Sequence, residues 1–232
     1  MTDHSTARST RRAFIGGLAV TGTTGLAGCS GLFGGDSNPV ANAPIPDNPG
    51  QYTYETMGSS DAPVSGAFVT NWKCPHCSTF STGFLGTIVE EYVEPGDVIL
   101  EHRALAYSGQ NPWMGEDAPR AAEAGLAVWR TDPASYWEYH EHVMANQGNP
   151  RDTWATTDRL VGFAEDVGVS NVEAVRTAIE DRTYEQTVRS TASALGRAGI
   201  TSTPALVIEG EVFNALNKSA VKTALDEKTS NA

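Results

Sequence analysis

Between an apolar run, Ala67-Phe68-Val69-Thr70, and a helical pattern lies the hexapeptide Trp72-Lys73-Cys74-Pro75-His76-Cys77. Two cysteines in a C-x-x-C frame have two common uses: reversible disulfide chemistry, or half of a metal site. The flanking pattern narrows the choice. From Cys77 onward, Phe80, Phe84, Leu85, Ile88, Val89 and Tyr92 recur at helical spacing, and Pro95-Gly96-Asp97 ends the helix. Val98 to Leu105 is mostly apolar and predicts a further, central strand. Tyr52 to Thr56 alternates like a short strand ahead of the motif. A strand, a C-x-x-C helix and a strand together form the context that a redox pair needs.

In that context each residue has a physical role. Cys74 falls at a helix N-terminus, where unpaired N–H groups and the positive dipole end stabilise a thiolate. Pro75 suits the first turn, where its missing donor costs nothing. A protonated His76, or Lys73, would favour the thiolate further. Cys77 lies one turn on, within reach to close a disulfide. The competing use is a metal-binding or copper-relay module built on the same cysteines and His76. A structural zinc site wants four ligands, whereas His140 and His142 are two apart on a predicted helix and do not share a face. His102 lies in a strand and reads as a packed residue. An inert C-x-x-C bridge would close a very short loop and add little stability.

Residues 112–198 interrupt the strand pattern for too long to be a loop. Pro119 to Trp129 is alanine-rich at helical spacing. Asp132-Pro133 caps a helix carrying Tyr136, Trp137, Tyr139, His140 and Val143, and a further helix covers about 156–167. Ser170-Asn171-Val172-Glu173 predicts a capping box for the next, and a last helix ends at Gly199. The aromatics of this helical insertion read as core. Then Gly199-Ile200-Thr201-Ser202-Thr203-Pro204 leads into Ala205 to Ile208, a turn at Glu209-Gly210, and Val212-Phe213: a hairpin. Ser219 to Leu225 predicts a final short helix.

Cys-Pro-His-Cys after a strand, with Gly-Ile-x-x-Thr-Pro-Ala near the end and a helical insertion between them, resembles the DsbA-like branch of the thioredoxin superfamily. The resemblance covers roughly residues 52–226 and implies an α/β, thioredoxin-like fold with an inserted helical subdomain. It implies a thiol–disulfide oxidoreductase in which Cys74 forms the mixed disulfide, Cys77 resolves it, and Pro75 and His76 tune the potential. It further implies a cis Thr203–Pro204 bond packed against the cysteines, with Thr203, Pro204 and Trp72 meeting an extended substrate segment. No bound organic cofactor and no metal are implied. Some members keep a buried acid six residues before the first cysteine. Here that position is Phe68, which leaves Glu101 and Glu209 as loose candidates for a proton acceptor.

The N-terminal stretch reads as an address. Thr10-Arg11-Arg12-Ala13-Phe14, then a short apolar run from Ile15, resembles a twin-arginine export signal, and Leu26-Ala27-Gly28-Cys29 resembles a lipobox. On this reading residues 1–28 are cleaved, Cys29 is lipidated, 29–50 form a flexible linker, and 51–228 form the DsbA-like domain. Lipidation accounts for the third cysteine and leaves Cys74 and Cys77 as the reactive pair. The chain would then be held at the outer face of the cytoplasmic membrane, a compartment that permits disulfides. A formal charge of -12, with 28 acidic against 16 basic residues, disfavours nucleic acid as a partner. Acidity with only four lysines is the surface style of proteins from salt-loving organisms. The partners expected are reduced or unfolded secreted proteins and a redox partner that regenerates the disulfide.

Overall fold

The computed structural model describes residues 38–232. The expected export signal, lipobox and Cys29 lie outside the described residues.

Five strands form a mixed sheet in the order β1-β3-β2-β6-β7. They are β1 (Thr56–Met57), β2 (Val64–Thr70), β3 (Val98–Ala104), β6 (Ala205–Ile208) and β7 (Glu211–Asn214). A separate two-stranded ribbon joins β4 (Tyr107–Ser108) to β5 (Asn111–Pro112). The central strand β2 runs parallel to β3 and antiparallel to β6. Its buried interior, with Phe68, Val69 and Thr70 all covered, explains the continuous apolar reading of that segment. The hairpin turn at Glu209-Gly210 has positive φ at both central residues, 48° and 82°. That is the twist a two-residue hairpin requires, and Gly at the second place supplies it without steric cost.

The register of β2 and β6 is what builds the site. Val69 pairs with Ala205, so the chain leaving β2 and the chain entering β6 emerge at the same end of the sheet. Cys74 and Thr203, 129 residues apart in sequence, therefore become neighbours.

The helix after the motif begins as α1 (Pro75–Thr79), widens over Phe80–Phe84, returns to α-geometry as α2 (Leu85–Ile88) and widens again over Val89–Val93. The second widening shows in i→i+5 bonds, Glu94 N–H to the Val89 carbonyl and Asp97 N–H to the Tyr92 carbonyl. The predicted apolar set, Phe80 through Tyr92, is buried as its spacing required. Five helices follow the ribbon: α3 (Ala118–Thr131), α4 (Tyr136–Ala145), α5 (Thr157–Asp166), α6 (Val172–Glu180) and α7 (Glu185–Arg197). α3 packs against each of α4 to α7. Its run of alanines and Gly125 allows that approach on every side, and almost its whole length is buried. α8 (Lys218–Ser230) closes the chain, capped by the Asn217 side chain on the Ala220 N–H.

The structure departs from expectation in several places. Of the predicted first strand, residues 52–56, only Thr56 joins the sheet, continued by Met57; the carbonyls of Tyr52 and Thr53 accept from Trp129 and Arg130 instead. Residues 38–50 are not a free linker. Val40 and Ala43 are buried in the core, and Asn38 donates to Glu141 at 3.0 Å. The capping box at Ser170 does not form. Asn171 takes the cap position in the left-handed region (φ 56°), and the Ser170 hydroxyl turns to Asp132 instead, at 2.6 Å. The last helix runs well beyond Leu225.

Candidate redox site

The loop from β2 to α1 is fixed by one side chain. Asn71, 1% exposed, sends its amide to the carbonyls of Leu105 at 2.8 Å and Trp113 at 3.1 Å, and its oxygen accepts from the Lys73 N–H at 2.8 Å. Its own N–H points at the Cys77 sulfur, 3.4 Å away, and its carbonyl accepts from the Cys74 N–H at 3.0 Å. Asn71 therefore ties the end of the central strand, the end of β3 and both cysteines into one unit. The sequence carried no signal for it, since a lone Asn after a strand is an ordinary turn residue.

Cys74 is the cap residue of α1, with extended backbone (φ -84°, ψ 119°), and Pro75 opens the helix. Both cysteines are free thiols. The hydrogen bond with the Cys77 thiol is the main influence holding the Cys74 thiol down at about 5. The Thr203 contact and the backbone N–H groups of Cys77 and His76 act in the same direction, against the opposing effect of burial. The Cys77 thiol, 0% exposed, is pushed strongly up, first by burial and then by its neighbour Cys74. One turn of helix thus holds two buried sulfurs of opposite character, 4% and 0% exposed: Cys74, whose thiol is drawn toward the thiolate, and Cys77, whose thiol is held protonated.

The Thr203–Pro204 bond is cis. The Thr203 carbonyl oxygen lies 3.8 Å from the Cys74 sulfur, and the Thr203 hydroxyl is buried with no protein partner. Pro75 and His76 are exposed beside Cys74. His76 supplies its backbone N–H to the thiolate.

Trp72 requires a correction. It is 1% exposed, seated on Gly125 of α3 and edge-on to His102 and His140, so it offers no surface to a substrate segment. It faces the helical subdomain, with Gly125 of α3 and Tyr139 and His140 of α4 against its ring. Lys73 is likewise buried, its ammonium paired with Asp117, so its charge is neutralised there. The two loose candidates for a proton acceptor are engaged elsewhere: Glu101 with Arg103, and Glu209 with the Ser65 N–H and hydroxyl. Phe68 is fully buried among aromatic rings. No group of three or more His, Cys, Asp or Glu side chains is placed to hold a metal ion among the described residues.

A C-x-x-C pair at the N-terminus of a helix, following the central strand of a mixed sheet and facing a cis-proline loop, defines the class of thioredoxin-fold thiol–disulfide oxidoreductases. The chain matches the thioredoxin family over residues 51–227 and belongs to it, in its DsbA-like branch with the inserted helices. It is 25% identical to a probable disulfide bond formation protein D of Bacillus cereus over 177 residues, 76% of this chain and 79% of that protein. Disulfide bond formation protein D of Bacillus subtilis is 23% identical over 173 residues, 74% and 75% of the two chains. Among solved structures, oxidised BdbD from Bacillus subtilis shares the fold with a TM-score of 0.70 at 22% identity, covering 82% of this chain and 98% of that one. DsbA of Chlamydia trachomatis does so with a TM-score of 0.66 at 19% identity, covering 75% and 90%.

Proposed function

We propose that the protein forms or exchanges disulfides in exported proteins through Cys74 and Cys77. The observation that carries this reading is the division of character between the two sulfurs, with Cys74 lowered and beside the Thr203 carbonyl and Cys77 raised in the interior. In the oxidised protein a substrate thiolate attacks the Cys74 sulfur, a mixed disulfide forms, and Cys77 leaves and takes up a proton. A second substrate thiolate then attacks the substrate sulfur, and Cys74 leaves as a thiolate. Two electrons pass from the substrate to the protein, and a separate redox partner removes them. A low-pKa leaving group favours the second step, and a stabilised thiolate favours the reduced protein, which is the property of an oxidant. The substrate segment lies extended along Thr203, in the manner of an added strand.

The names of the Bacillus relatives support disulfide formation as the direction of the reaction. Replacing Cys77 with serine is expected to trap substrates on Cys74, as bands on non-reducing gels that disappear with dithiothreitol. No adduct under oxidising conditions would count against the mechanism.

The N-terminal motifs support export and a lipid tether on Cys29. Replacing Cys29 with alanine is expected to release the protein into the medium, and unchanged membrane attachment would defeat the tether.

A further inference from the structure

We propose that Lys73 is a positioning residue for the redox pair, clamping the Cys74 loop to the helical subdomain through Asp117. This rests on the redox reading of Cys74 and Cys77 and adds to it a part of the molecule outside the thioredoxin core.

The geometry is specific. Lys73 and Asp117 have side chains 1% and 0% exposed. Two charges so deeply buried are retained only where every polar atom is partnered. Here they are: the Lys73 ammonium bonds the Asp117 carboxylate and donates to the Asp152 carbonyl at 2.9 Å, while the second Asp117 oxygen accepts from the Ala155 N–H at 2.8 Å. Gly115 makes the room. A Cβ there would stand 2.5 Å from the Lys73 nitrogen and 2.9 Å from an Asp117 oxygen.

Position separates this pair from an ordinary buried salt bridge. Lys73 directly precedes Cys74, and its own N–H is held by Asn71. Asp117 is the cap residue of α3, whose Gly125 supports Trp72. Two further bonds reach the same region. Gln147 donates to the Trp72 carbonyl at 2.9 Å, and the Ser78 hydroxyl donates to the Met144 carbonyl at 2.7 Å. Residues 72, 73 and 78 thus bracket the cysteines, and each is bonded to the stretch 144–155 of the insertion. β2 sets where the loop starts, and the insertion sets how Cys74 faces the N–H groups of α1. As a stability device alone, a buried ion pair has no advantage over two apolar side chains of similar size. As a clamp, it has partners that apolar side chains cannot replace, Asp152 and Ala155.

The test compares the wild-type chain with the double variant Lys73→Met/Asp117→Leu, which removes both charges together, and with Gly115→Ala, which crowds the pair and leaves both charges in place. Three quantities are measured on each: the thermal unfolding midpoint, the pH titration of thiolate absorbance at 240 nm, and the equilibrium with glutathione. The clamp predicts that the folded variants lose roughly tenfold in thiolate stabilisation, so that Cys74 titrates at higher pH. The pair then becomes about 30 mV more reducing. A folded variant with unchanged titration and unchanged glutathione equilibrium would overturn the proposal and leave the pair a packing feature. A wild-type protein without a low-pH thiolate or dithiol oxidation would overturn the redox reading itself, and the clamp with it.

Discussion

Phe68 and His102 lie face to face, ring centroids 4.9 Å apart with planes 19° from parallel. They are register partners on the parallel strands β2 and β3. His102 is held at both nitrogens, by the Thr70 hydroxyl at 2.7 Å and the Tyr136 hydroxyl at 2.8 Å. Burial first, and then the neighbouring His140, push its pKa well below the ordinary histidine range, so the ring is neutral at physiological pH. The position six residues before the first cysteine, Phe68, is filled by an aromatic stack that a carboxylate could not join without losing its hydration.

Truncating Phe68 to alanine removes a ring packed against His102, Phe80, Trp137 and His140. The expected loss is about 3–5 kcal/mol of stability, at the level seen for buried phenylalanines. Urea unfolding of the oxidised protein measures it. A loss below 1 kcal/mol would mean that the cluster collapses around the gap.

Glu55, buried beside Tyr136, has its carboxyl pushed up to about 8, chiefly by desolvation. A group that binds its proton more tightly when folded stabilises the protein fully below its unfolded pKa of about 4.3 and loses that contribution as pH rises through the folded value. His102 acts in the opposite sense, below its unfolded pKa of about 6.5. The window from about pH 6.5 to 8 therefore isolates Glu55 from His102. Between those limits the oxidised wild-type protein is expected to lose stability relative to Glu55→Gln. Parallel unfolding curves across the window would show that Glu55 is already ionised in the fold.

The hydrogen bond with Cys77 is the largest influence lowering the Cys74 pKa. In reduced Cys77→Ser, where a hydroxyl can still donate, absorbance at 240 nm is expected to titrate nearer the wild-type midpoint of about 5 than in Cys77→Ala. Equal midpoints for the two variants would assign the low value to the helix N–H groups instead.

Asn71→Ala removes two hydrogen bonds to buried carbonyls and one from the Lys73 N–H. The expected cost is about 2–4 kcal/mol, from net bonds of roughly 1 kcal/mol each plus the groups left unpaired. The denaturation midpoint reports it.

Gly125 is the seat of Trp72. A methyl there would stand 2.7 Å from the indole, and Gly125→Ala is expected to cost about 1–3 kcal/mol through overpacking. A stabilised variant, as helix propensity alone would favour, would show that the indole can move aside.

The sequence by itself determined the parts whose physics is local. The C-x-x-C at a strand-to-helix junction, the helical spacing from Phe80 to Tyr92, the β6–β7 hairpin and the alanine-rich helices all follow from periodicity, turn chemistry and cap positions within a few residues of each other. The meeting of Thr203 with Cys74 was legible through the family resemblance, and the physical cause is the pairing of Val69 with Ala205. What only the tertiary structure decided depends on which distant groups share a buried space. Trp72 reads as an exposed aromatic beside a reactive thiol, yet Gly125 draws it inward. Lys73 reads as a free cation, yet its ammonium is paired with the Asp117 carboxylate and donates to the Asp152 carbonyl. Asn71 carries no local signature, and residues 38–50 read as a linker although Val40 and Ala43 join the core. Burial and long-range hydrogen bonding are properties of the packed chain, and no short window of sequence contains the partners that set them.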